Sequence, residues 1–246
     1  MAILEARRLS KDYGSTRALE RLDLSIGAGE IFALLGANGA GKSTTIKLFL
    51  GFLEPTEGQA MVDDVEVARD PLGARRRLAY VPENVSLYPT LTGVENLEYF
   101  AALGGRADLD RAELLAALEH VGLERSAAQR RVSTYSKGMR QKVGIAIAAA
   151  KDARAILLDE PTSGLDPAAS NEFGRLIRTL ANDGCAVLMA THDLFRAREC
   201  SDRLGIMRRG RLMREVRANA VGARELEEIY LATVSEQVER GLEVVS

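Results

Sequence analysis

Ile31-Phe32-Ala33-Leu34-Leu35-Gly36-Ala37-Asn38-Gly39-Ala40-Gly41-Lys42-Ser43-Thr44 decides the fold of this chain. The five apolar residues read as a strand, 36–41 as a glycine loop and 45–50 as a helix. Glycines let the backbone turn at positive φ and approach an anion closely, while loop N–H groups and the helix's positive end point at it. Phosphate is the natural guest. In the pattern Gly-x-x-x-x-Gly-Lys-Ser/Thr, Lys42 reaches the β- and γ-phosphates of a nucleotide and the Ser43 hydroxyl ligates Mg²⁺. Gly36, Asn38, Gly39, Gly41, Lys42, Ser43 and Thr44 are the candidate nucleotide contacts. The plain alternative, a turn that uses glycine for geometry only, is weakened by the strand before it and the helix after it.

Working outward, Ala155-Ile156-Leu157-Leu158-Asp159-Glu160 is the second strong element. Its apolar run has no alternation, as in a central parallel strand covered on both faces, and its two acids fall at the carboxyl end, where open α/β sheets bind ligands. Asp159 is placed to complete the Mg²⁺ shell that Ser43 begins, and Glu160 to polarise the water that attacks the γ-phosphate. A strand-end cap is the structural alternative. His192 ends a further strand at 186–190 and can share that face. Tyr13, at the end of the first strand, can stack on a base or simply cover the core.

The rest of the chain fits an α/β frame around these two elements. Residues 3–9 and 22–26 alternate as strands of a small antiparallel sheet, and 59–67 form a further hairpin. Arg75-Arg76-Arg77 reads as a solvated face or a docking patch before the strand 78–81, and Pro82 and Pro89 bracket a joint between two lobes. From Thr92 the pattern turns helical. Thr92-Gly93-Val94-Glu95 is a capping box, and Asp108 or Asp110 can cap the next helix. Helix 167–180, a hairpin around Arg208-Arg209-Gly210 and an amphipathic tail helix marked by Leu226, Ile229, Tyr230, Thr233 and Val234 complete the chain.

Bulk properties limit the function classes. The chain has 246 residues, 46% hydrophobic, and a net charge of -2, which disfavours blanket neutralisation of nucleic-acid phosphates. Cys185 and Cys200 fit no metal spacing and read as small buried hydrophobes in a reducing compartment. No stretch approaches the roughly 20 apolar residues of a membrane span.

With these residues in place the chain resembles the ATP-binding subunit of ATP-binding cassette (ABC) transporters over nearly its whole length. The phosphate loop and the Asp159-Glu160 strand look like the Walker A and Walker B motifs. Tyr135-Ser136-Lys137-Gly138-Met139-Arg140-Gln141-Lys142 looks like the family signature, Ser163-Gly164-Leu165-Asp166 like the D-loop, and His192 like the switch histidine. Tyr13 stands at the adenine-stacking aromatic and Glu83 where the family usually has the Q-loop glutamine. The resemblance implies a P-loop NTPase core of mixed, mainly parallel sheet with a small antiparallel β subdomain and an inserted α-helical subdomain. It places one ATPase domain at 1–220, with 1–84 and 153–220 as the core, 85–152 as the helical subdomain, and 221–246 as a helical tail.

The resemblance also implies ATP and Mg²⁺ as ligands, with Ser43, Asp159 and Glu83 at the metal and Glu160 and His192 catalytic. Ser136 and Gly138, with Asp166, would face the γ-phosphate bound by a second, head-to-tail copy, since one chain makes only half of each site. Lys137, Met139 and Glu83 depart from the common pattern and match the type-2 exporter branch, whose permease is a separate chain. The protein would then sit on the cytoplasmic face of the membrane, touching it only through that permease, with no nucleic-acid partner. An import-type ATPase, or a soluble mechanical ATPase acting on ribosomes or DNA, are the alternatives. Docking would use the groove at 83–90 and the helix from Thr92. Tyr88, Tyr99 and Phe100 are candidate contacts there, each read first as a core-packing ring.

Overall fold

The structure is a computed structural model that describes residues 1–235; the last part of the expected tail, 236–246, lies outside the described residues. Two sheets carry the architecture. Strands β1 (Ala2–Tyr13) and β2 (Thr16–Gly27) form a long antiparallel pair. After β3 (Ile31–Leu35) and helix α1 (Lys42–Phe49), β4 (Glu57–Val62) and β5 (Val65–Glu66) extend the antiparallel sheet in the order β2-β1-β4-β5. Helix α2 (Pro71–Arg77) then leads to β6 (Leu78–Val81) in the second sheet.

A helical block follows: α3 (Gly93–Leu103), α4 (Arg111–His120), α5 (Arg125–Ala128) and α6 (Lys137–Ala150). The chain returns through β7 (Ala155–Asp159), α7 (Pro167–Asn182), β8 (Ala186–Thr191), α8 (Leu194–Cys200), the hairpin β9 (Arg203–Arg208) and β10 (Arg211–Arg217), and α9 (Ala223–Ser235). The second sheet has the order β10-β9-β3-β8-β7-β6. It is parallel from β9 to β6, with β10 antiparallel at one edge. The α/β class and the mixed, mainly parallel sheet expected from the sequence are therefore present.

Side-chain alternation along β3 divides the core in two. Phe32 and Leu34 join Ile46, Leu48 and Phe49 of α1 and the antiparallel sheet in one cluster. Ile31, Ala33 and Leu35 join Val143, Ile145 and Ala146 of α6 and Phe173 and Ile177 of α7 in the other. The sheet is thus covered on both faces, and the carboxyl ends of β3, β7 and β8 open together on one edge, where the strand-to-helix loops gather.

Local chemistry sets the helix starts. Thr92 Oγ1 accepts from Glu95 N at 3.3 Å while Glu95 Oε2 accepts from Thr92 N at 2.8 Å, the expected capping box. Asp110, not Asp108, caps α4; Asp108 is held by Arg106 instead. The arginine run forms the last turn of α2, a helix not expected before the strand, and keeps a solvent-facing side; Arg75 and Arg77 donate back one turn, to Pro71 O and Gly73 O. The reading of Tyr88 and Tyr99 as core rings is overturned, while Phe100 is half-buried. Tyr88 and Tyr99 are exposed, with ring centroids 5.0 Å apart, and Tyr88 stacks at 6.0 Å on Phe100. The tail helix buries Leu226 and Thr233, and Arg208 donates to Thr233 O at 2.9 Å. Among the described residues no helix is long and apolar enough to cross a membrane.

Candidate nucleotide site

The loop between β3 and α1 is held from two sides. Gly36 N donates to Thr191 O at the end of β8, and Gly210 N, at the tip of the β9–β10 hairpin, donates to Ala40 O at 2.9 Å. Glycine is required at two positions. A Cβ on Gly36 would stand 2.7 Å from Met207 O, and Gly41 adopts φ +108 with Ala18 O only 2.9 Å from where a Cβ would be. Gly41 caps α1 without any side-chain hydrogen bond, so the first-turn N–H groups of Lys42, Ser43 and Thr44 stay available to an anion. The helix begins at Lys42, three residues before the apolar pattern reveals it.

Lys42 is 5% exposed and folds back on the loop, its ammonium 2.5 Å from Gly36 O and 3.4 Å from Ala37 O. Ser43 Oγ lies 3.4 Å from Asp159 Oδ1. Burial pushes the Asp159 carboxyl above its ordinary pKa and the charges of Glu160 and Glu83 push the same way, against the Ser43 hydrogen bond and Lys42. A cation beside Asp159 would relieve that cost.

Glu160 takes φ +46, a left-handed conformation uncommon for a non-glycine residue. Its N–H donates to Ala190 O at 2.8 Å, and the kink turns its side chain toward the end of β8. There Oε2 is fixed by Thr191 Oγ1 at 3.1 Å, His192 N at 3.3 Å and His192 Nδ1 at 2.9 Å. Oε1 is buried and accepts no hydrogen bond, although Lys42 Nζ is within ion-pair range at 3.4 Å. The lysine's hydrogen-bond geometry is directed at the loop carbonyls, so the nearby charge does not satisfy that oxygen. A buried acceptor left open beside a cation is the arrangement that a reacting water or phosphate completes.

These groups line a cleft of about 830 Å³ together with Thr16, Arg17, Ala18, Asn38, Gly39, Glu83 and Arg209. The structure thus gathers the loop residues with Asp159, Glu160 and Glu83. His192 stands behind Glu160, in a neighbouring pocket with Ser163 and Gly164. Tyr13 is half exposed at the end of β1 with the Lys11 ammonium over its ring, and the residues of that hairpin that line the cleft are Thr16, Arg17 and Ala18. Ser136 caps α6, Gly138 lies in its first turn and Asp166 caps α7; none of the three lines the cleft. Thr191, Thr16 and Arg209 carry no motif, and only their neighbours His192, Tyr13 and Gly210 hint at them.

The residues fit a nucleotide with a divalent cation. The anion cradle is open, the acids sit at its rim, and among the described residues no group of three His, Cys, Asp or Glu could hold a metal alone. Mg²⁺ commonly takes one or two carboxylates and completes its shell with water and substrate phosphates.

Comparison with known proteins agrees. Residues 19–163 match the family model described as ABC transporter. The chain is 38% identical over 216 residues to the daunorubicin/doxorubicin resistance ATP-binding protein DrrA of Streptomyces peucetius, covering 86% of this chain and 64% of DrrA. It is 36% identical over 214 residues to the probable multidrug ABC transporter ATP-binding protein YbhF of Escherichia coli, covering 86% of this chain but only 36% of YbhF. The chain therefore spans about a third of YbhF and under two thirds of DrrA. Among solved structures, an ATP-binding subunit of an ABC transporter superposes with a TM-score of 0.81 at 33% identity, covering 94% of this chain and 99% of the other. A dimeric post-hydrolysis state of the cassette MJ0796, bound to ADP and Pi, superposes with a TM-score of 0.78 at 28% identity, covering 87% and 98%. With a family model over more than half of its length and a nucleotide cradle to match, the chain belongs to the ABC transporter family as an ATP-binding subunit.

Proposed function

We propose that this chain hydrolyses ATP, as one of two head-to-tail copies, to drive a separate membrane permease outward. One observation carries the chemistry: Glu160 is fixed through Oε2 by three donors, while its buried Oε1 is left open beside Lys42. A carboxylate anchored on one oxygen and open on the other is built to accept a proton from an attacking water. His192 orients it through Nδ1. Lys42 exchanges the carbonyls of Gly36 and Ala37 for the β- and γ-phosphates, with the first-turn N–H groups of α1 around them. Ser43 and Asp159 would hold Mg²⁺, with Glu83 within the same cleft; bound there, the ion neutralises charge on the phosphate oxygens.

Ser136 and Gly138 open a 14-residue helix, and neither lines the chain's own cleft. Their N–H groups suit the γ-phosphate held by a second copy, with Asp166 at the same junction. Binding then closes the dimer, and loss of phosphate reopens it. For the permease, the exposed rings of Tyr88 and Tyr99 adjoin a groove of about 290 Å³ lined by Tyr80, Phe100, Leu103 and Ile147. An apolar patch of this kind on a protein with no membrane-crossing helix among its described residues suits a protein partner. That partner would hold the chain on the cytoplasmic face of the membrane. The outward direction rests on Lys137, Met139 and Glu83 and on relatives named for drug resistance.

Pull-down of Glu160→Gln from solubilised membranes with ATP and Mg²⁺ tests this reading. Recovery of a multi-span membrane protein is the expected result. Recovery of ribosomes or nucleic acid instead would refute the permease assignment.

A further inference from the structure

Three side chains converge on Glu83. Its Oε1 accepts from Ser163 Oγ at 3.0 Å and lies 3.7 Å from Lys137 Nζ. Its backbone carbonyl accepts from Gln141 Nε2 at 3.0 Å, and the same amide reaches Pro82 O at 3.4 Å. Gln141 is 1% exposed and its own Oε1 has no partner, so the buried amide leaves one acceptor unsatisfied while serving these two carbonyls. Lys137 and Gln141 lie one turn apart on α6, and Ser163 belongs to the loop before α7. Lys137 also runs along that loop, its Nζ 3.6 Å from where a Cβ on Gly164 would be. Glu83 meanwhile lines the nucleotide cleft with Asp159 and Glu160. One carboxylate therefore ties the start of α6 and the 163–164 loop to the rim of the cleft.

We propose that Lys137 is a positioning residue that acts through Glu83: it latches the first turn of α6 to the cleft in the nucleotide-free chain and competes with a divalent cation for the Glu83 carboxylate. The backbone contacts from Gln141 fix where the loop sits, and the Lys137 charge with the Ser163 hydroxyl fixes where the carboxylate points. A cation near Asp159 draws Glu83 the other way, and the carboxylate must leave Lys137 and Ser163 to follow. The side chains of Lys137 and Glu83 are 30% and 47% exposed, so solvent screens the pair and its weight is about twofold to fivefold in an equilibrium constant. The cation half of this inference rests on the nucleotide reading above; the latch does not.

Hydrogen exchange in the nucleotide-free full chain reads the latch directly. The Tyr88 amide, which donates to Asn96 Oδ1 at 2.8 Å, reports on the loop that starts at Glu83. Lys137→Gln is expected to speed exchange across 83–90 about twofold to fivefold, and Lys137→Arg to restore it. In a Glu83→Gln background Lys137→Gln should add nothing, because its effect passes through that carboxylate. Titration of Mg²⁺ against a fluorescent ATP analogue reads the competition: Lys137→Gln should lower the half-saturating Mg²⁺ by a similar factor. Unchanged exchange, or an equal effect of Lys137→Gln with and without Glu83, overturns the latch; an unchanged Mg²⁺ midpoint overturns the competition. If the wild-type chain failed to bind the analogue, the nucleotide reading and the cation half would fall together, while exchange would still decide the latch.

Discussion

Replacing Glu160 by glutamine should separate three effects that the site combines. The amide oxygen can take the place of Oε2 and keep the donors from Thr191 Oγ1, His192 N and His192 Nδ1, so the kinked backbone at φ +46 keeps its support. The amide nitrogen then replaces Oε1, and the attraction to Lys42 Nζ at 3.4 Å is lost. At an effective dielectric of about 20, that attraction is about 5 kcal/mol before desolvation. Desolvation offsets much of it and Lys42 keeps two carbonyl partners, leaving a net cost of about 1 to 3 kcal/mol to the nucleotide-free protein. For a chain of this size the melting temperature should fall by about 2 to 12 °C. Bound phosphate replaces Glu160 as the partner of Lys42, and a neutral side chain repels it less. ATP affinity should therefore hold or rise, and ATP should stabilise Glu160→Gln at least as much as the wild type. Loss of the base should lower kcat by about 10² to 10⁴. Phosphate release over many turnovers and thermal melts with and without ATP measure all three. Turnover above a tenth of wild type would refute Glu160 as the base, and a tenfold loss of ATP affinity would refute the exchange of partners at Lys42.

Lys42→Ala removes the buried ammonium and should weaken ATP binding by about 10- to 100-fold, on the scale of one hydrogen bond to a charged group; calorimetry showing unchanged affinity would remove Lys42 from the site. Gly36→Ala drives a methyl to within 2.7 Å of Met207 O, and urea unfolding should show a loss of about 1 to 3 kcal/mol. Burial pushes the Cys185 thiol up to about 12, so it should resist iodoacetamide at pH 8 until the protein unfolds. Because the unfolded thiol ionises first, stability present below pH 9 should drain away as pH rises toward about 12, and Cys185→Ala should flatten that slope in a pH series of urea melts.

What the sequence reveals and what it hides divide along contact distance in the chain. Between β3 and α1 the glycine loop and its following Lys-Ser pair are consecutive residues whose backbone chemistry is local, so the cradle could be read directly. The same holds for Asp159 and Glu160, which an unbroken apolar run delivers to the edge of the sheet, and for Thr92 with Glu95, a cap three residues long. The support around Glu160 is another matter. Thr191 reaches it across 31 residues, and the left-handed φ that aims it depends on a hydrogen bond to Ala190, on the neighbouring strand. No spacing rule announces such a contact, because strand pairing creates it. The helix α2 is hidden for a related reason: its three arginines read as a charged face, whereas two of them also bond carbonyls one turn back along a short helix that the pattern does not announce. Exposure is least legible of all, since Tyr88 and Tyr99 would suit a core equally well. On α3 the buried face includes Leu97 and Ala101, which leaves Tyr99 outward. An apolar outer surface on a helix whose inner face is already filled is what supports the docking proposal.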